Sequence, residues 1–133
     1  MVKVVVEAEV RPTEDLEKVR KAVLSVIKPD EITVEELGMG FRIIRATSSR
    51  IESLEPLKNM AKVQQVEPAL RSYLLKHRYG NTISILLHKQ AAYVGKLSLI
   101  DSNRESPLGP IRVEIEGSEE ELARVVEYLT KEE

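Results

Sequence analysis

The alternation that opens the chain constrains its fold more than any other feature. Val2, Val4, Val6, Ala8 and Val10 fall on one side of an extended segment, and Lys3, Val5, Glu7 and Glu9 on the other. Successive side chains of a strand point to opposite faces, so this pattern describes a strand with one buried face. Residues 111–116 repeat it, with Ile111, Val113 and Ile115 against Arg112, Glu114 and Glu116. Residues 82–88 set Ile83, Ile85 and Leu87 against Ser84, Leu86 and His88. Strands of this kind need a covering layer on one side.

Helical spacing supplies that layer. Pro12 and Thr13 open a segment in which Leu16, Val19, Ala22, Val23, Val26 and Ile27 recur at three and four, with Pro29 and Asp30 as its stop. Two strands, 31–37 and 41–47, then join through Gly38-Met39-Gly40, a hairpin turn rather than a phosphate loop because no helix N-terminus follows it. Ser49 with Glu52 forms a capping-box pattern ahead of a helix carrying Leu54, Leu57, Met60 and Ala61. A second helix carries Ala69, Leu70, Tyr73 and Leu74, with Gly80 ending it. After a break at 89–95, residues 96–101 form another strand. Ser118 with Glu121 caps a last helix carrying Leu122, Val125, Val126 and Leu129. The order βαββααβββα predicts a single α+β domain, 1–133, with a mainly antiparallel sheet and helices packed on one face.

The far sheet face is expected to carry Lys3, Glu7, Arg42, Ser84, Ser98 and Arg112, together with Val5, Ile44, Leu86 and Ile100. A half-apolar open face invites a cover, and a homodimer is the simplest one.

Composition removes several function classes. The chain has no cysteine and two histidines, so disulfides, thiolate chemistry and a multi-histidine zinc site are not expected. The opening apolar stretch is interrupted by Glu7 and Glu9, so it is neither a signal core nor a membrane span, and cytoplasmic residence is expected. His77 and His88 lack a nucleophile or orienting carboxylate at any recognisable spacing. No enzymatic activity and no cofactor are expected.

The net charge of −2 hides an asymmetry. Residues 1–40 sum to −3, residues 41–104 to +7 and residues 105–133 to −6. A basic middle between acidic ends can fold into a one-sided positive face that collects phosphates, or can average out over helix and strand faces. The densest polar cluster is His88-Lys89-Gln90, leading into Ala91-Ala92-Tyr93-Val94-Gly95-Lys96. Its donors either face a ligand or satisfy neighbouring carbonyls.

The run Leu87-His88-Lys89-Gln90-Ala91-Ala92-Tyr93-Val94-Gly95-Lys96-Leu97, with Ser106-Pro107-Leu108-Gly109-Pro110-Ile111, resembles archaeal uncharacterised protein family 0201, which carries an RNA-binding label. Where the family commonly places an asparagine before the lysine, this chain has His88. The resemblance implies an α+β fold similar to the ribosomal protein that holds 5S ribosomal RNA, and a dimer. With the charge count, it directs the expectation to structured RNA held through its phosphates by Arg42, Arg50, Lys89, Gln90 and Lys96. The alternative is a protein–protein adaptor or assembly factor that uses the open sheet face without nucleic acid.

Overall fold

The fold is taken from a computed structural model, which describes residues 1–102, 105–106 and 108–131. Asn103, Arg104 and Pro107 of the expected turn-rich connection lie outside the described residues. The strands are β1 (Lys3–Val10), β2 (Glu31–Gly38), β3 (Phe41–Ser48), β4 (Arg78–Tyr79), β5 (Thr82–His88), β6 (Leu99–Ile100) and β7 (Pro110–Glu116). The helices are α1 (Leu16–Leu24), α2 (Glu55–Val63), α3 (Glu67–Lys76), α4 (Lys89–Tyr93) and α5 (Glu119–Thr130).

All strands join one antiparallel sheet in the order β2-β3-β1-β7-β5-β4, with β6 also on β5. Its inner face carries Val4, Val6, Val10, Ile44, Ala46, Ile83, Ile85, Ile111, Val113 and Ile115, all at 0% exposure. The apolar sides of α1, α2, α3 and α5 cover that face with residues such as Val19, Leu57, Leu70, Leu74 and Leu122. Burying each such side chain contributes about 1.5–3 kcal/mol, which is why the alternation in β1 dictates the layer arrangement. The expected α+β architecture is the observed one.

Several local expectations are corrected. The first helix begins at Leu16, because Asp15 rather than Thr13 accepts the Glu17 N–H and ends the preceding turn. Ser49 does not cap. The segment Ile51–Leu54 is a 3-10 turn with no side-chain cap, and Ser48 Oγ accepts the Arg50 N–H instead. The break at 89–95 contains α4, capped by His88 Nδ1 accepting the Ala91 N–H at 3.3 Å. Gly80 turns the short β4–β5 hairpin, since α3 already ends at Lys76. The capping box Ser118/Glu121 and the hairpin over Gly38-Met39-Gly40 form as read, the three turn residues taking φ of 91°, 57° and 84°.

The two sheet faces also sort differently. Ile44 is fully buried on the helix-covered side, and Arg42, two residues before it, shares that side. Ile43 and Arg45 take their places on the open face. Arg42 therefore leaves the far face on which it was expected.

Candidate nucleic-acid interface

The open sheet face, expected to carry Arg42, has its charges already matched across strands. Glu7 of β1 stands between Arg45 of β3 and Arg112 of β7 in register. Arg45 donates to Glu7 Oε2 through Nη2 at 2.7 Å and Nε at 3.0 Å, and its Nη1 lies 3.8 Å from Glu35. Ser84 Oγ donates to Glu114 at 3.0 Å. Opposite charges facing each other across a ladder stabilise the sheet and leave little positive potential for a phosphate.

The five predicted contact residues do not gather. Arg50 lies with Asp30, donating from Nη2 at 2.7 Å and Nε at 3.2 Å. That guanidinium, with the Ser49 N–H and the Ser48 hydroxyl, holds the Asp30 carboxyl below its usual range. Arg42 is half-buried on the helix-covered side, opposite Val10 and Glu36.

Lys89 is a correction of a different kind, because its side chain is 0% exposed. Its ammonium donates to the Glu14 carboxylate at 3.1 and 3.3 Å, to the Glu9 carbonyl at 2.6 Å and to the Leu108 carbonyl. Phosphate cannot reach it in this state. Glu14 also accepts from the Tyr93 hydroxyl at 2.6 Å and the Arg11 N–H at 3.0 Å. Burial alone would raise the Glu14 carboxyl, but these hydrogen bonds outweigh it and hold the group below the ordinary carboxylate value. Burial lowers the Lys89 ammonium, with Glu14 offsetting part of the effect, and burial beside Glu14 pushes the Tyr93 phenol up. The Lys89–Glu14–Tyr93 cluster thus clamps α4 to the start of α1.

Gln90 and Lys96 are exposed, and neither side chain has a hydrogen-bond or ion-pair partner among the described residues. The loop between them meets two further cations. Lys18 and Lys21 of α1 are exposed and form a groove with Tyr93 and Val94. On the other side of the same loop, Gly95 and Lys96 line a second groove with α2. Gln64 fixes that side by accepting the Leu97 N–H at 2.7 Å and donating to the Leu97 carbonyl at 3.1 Å. The result is a lysine-flanked ridge, residues 93–96, between α1 and α2. Lys18 and Lys21 belong to the acidic first third of the chain, outside the basic middle. Their spacing of three on the outer face of α1 was the available signal.

The remaining mid-chain charges are dispersed. Arg71 lies 3.5 Å from Glu127, Lys76 is 3.9 Å from Asp101, and Lys58 lies 4.6 Å over the Tyr128 ring. His77 stacks on Tyr73 and contacts Asp101 at 3.2 Å through Nε2. No group of acidic or imidazole side chains suited to a metal occurs among the described residues. No helix among them is long and apolar enough to cross a membrane.

A family model described as RNA binding matches residues 3–117. A UPF0201 protein of Sulfolobus acidocaldarius is 42% identical, over 98% of this chain and 88% of that protein. The chain belongs to the UPF0201 family. A UPF0201 protein of Aeropyrum pernix is 44% identical over 86% of this chain and 77% of its own length. The crystal structure of the UPF0201 protein from Methanococcus jannaschii superposes with a TM-score of 0.83 at 30% identity, covering 98% of this chain and 94% of that one. These UPF0201 relatives cover 86–98% of the chain, in agreement with the resemblance carried by the runs around Lys89 and Gly109.

Proposed function

We propose that this UPF0201 protein binds structured RNA through phosphate contacts, without catalysing a reaction, and that the contact surface is the ridge 93–96 rather than the sheet. The observation that carries the reading is that three exposed lysines with no carboxylate partner among the described residues, Lys18, Lys21 and Lys96, border one ridge, with Gln90 on the helix that leads into it. The family model described as RNA binding supports the ligand class. Lysine supplies point charges that follow a phosphate backbone without reading its sequence.

The test is a titration of ribosomal RNA fragments across a salt series. The logarithm of the affinity should fall linearly with the logarithm of salt concentration. Reversing Lys18, Lys21 and Lys96 to glutamate should lower that slope by about two to three units. Lys3→Glu, on the opposite face, should leave it nearly unchanged. Affinity that is flat in salt, or absent at physiological salt, overturns the reading.

A second surface supports the proposed homodimer, or else the adaptor role. β2 has a single sheet neighbour, and the hairpin around it exposes Val34 at 40%, Leu37 at 54%, Met39 at 94% and Phe41 at 38%. An edge strand with unpaired backbone groups and apolar side chains is a ready pairing template. The apolar surface is therefore the β2 edge, since Ile44 is inside the core and Ile100 is only 6% exposed. Light scattering should give the mass of two chains for the wild type and of one chain for Leu37→Lys with Met39→Lys. A monomeric wild type would leave the edge to a foreign protein.

A further inference from the structure

We propose that the groove between α2 and the loop after α4 receives a single unstacked nucleobase, so that the RNA recognised carries a bulge or loop rather than an uninterrupted duplex. This rests on the phosphate-binding reading of the adjacent ridge. The groove has a volume of about 360 Å³, with Pro56, Met60 and Val63 of α2 on one side and Gly95 on the other. Its surface is largely apolar, so it suits no phosphate or other bare ion. Gly95 takes φ +74°, and a Cβ there would meet nothing within 4 Å. The loop therefore presents bare peptide across open space from a proline ring and a thioether, a lining on which a flat heterocycle can lie.

Two polar groups complete the match. The Asn59 amide is exposed and has no hydrogen-bond partner among the described residues, leaving one donor side and one acceptor side for a base edge. Lys96 lines the same groove, and Lys18 and Lys21 stand beyond Val94, where phosphates flanking an extruded nucleotide would continue. The two Gln64 hydrogen bonds to Leu97 hold the loop at this distance from α2, so the groove exists before any ligand arrives. A base in a continuous duplex is stacked on both faces and cannot enter, whereas RNA proteins commonly take bases from loops and bulges.

The experiment compares an uninterrupted RNA stem with the same stem carrying one bulged 2-aminopurine, each titrated into the full chain. The bulged RNA should bind about ten-fold more tightly, with a change in 2-aminopurine fluorescence on binding. Val63→Gln, at a position 83% exposed and thus harmless to the core, adds no charge beside Lys96 and should reduce the preference several-fold while leaving the affinity for the uninterrupted stem within about two-fold of wild type at the same salt concentration. Asn59→Ala should reduce the preference several-fold. Equal affinity for the two RNAs, both steeply salt-dependent, overturns the base pocket and leaves the phosphate reading standing. Binding to neither RNA overturns both.

Discussion

Replacing Lys89 with methionine should destabilise the protein by about 3–5 kcal/mol, the cost of stranding a buried charge whose partner has been removed. Methionine keeps the length of the side chain, so packing is nearly conserved. What disappears is the ammonium that serves Glu14, Glu9 and Leu108 at a position with 0% exposure. Among the described residues, the Glu14 side chain, 4% exposed, would keep the Tyr93 hydroxyl and the Arg11 N–H as donors. Adding Glu14→Gln to Lys89→Met should recover much of the loss, because no uncompensated charge then remains.

The deficit should depend on pH in a defined direction. Glu14 has a folded-state value below its ordinary 4.5. Its contribution is therefore present above that ordinary value and is lost as pH falls through the lower folded-state value. Without Lys89 the folded-state value rises, so wild type and variant should converge in acid. Chemical denaturation across a pH series measures this. A loss under about 1 kcal/mol at neutral pH would show that the pair behaves as an exposed one.

Leu57→Ala should cost about 2–5 kcal/mol, through lost transfer energy and the cavity left behind. Leu57 is 0% exposed on α2, near Leu54 and Ala61 on the same buried side, and α2 packs against α5 there. The effect should reach function as well, since α2 carries Asn59 and Met60 and ends on Gln64 as its cap. Calorimetry should show a lower Tm, and RNA affinity measured well below that Tm should fall more for the bulged stem than for the plain one. An unchanged Tm would mean that α2 contributes little to the core.

The two kinds of residue differ in how far the sequence could disclose them. Which face of β1, β5 and β7 is buried follows from alternation, because side-chain direction along a strand has a period of two. In β3 the run Ile43-Ile44 offers two registers, and the wrong one puts Arg42 on the open face and Ile44 in solvent. Register is settled only by pairing with β1, where Ile44 stands opposite Ala8 and Arg45 opposite Glu7. The run after β5 shows the same limit. Its composition announces donors at Lys89 and Gln90, yet one is fully buried and the other exposed.

Local periodicity and turn chemistry determined the elements, their order and the one-sided sheet, because those depend on residues a few positions apart. Which cations remain available to a ligand was decided by the folded arrangement alone. Lys89 meets Glu14 across 75 positions and Arg45 meets Glu7 across 38. Coulomb attraction acts through space, so a carboxylate far along the chain can neutralise an arginine or lysine that looks free in its own segment, while Lys18 and Lys21, set among acidic neighbours in sequence, form no ion pair among the described residues.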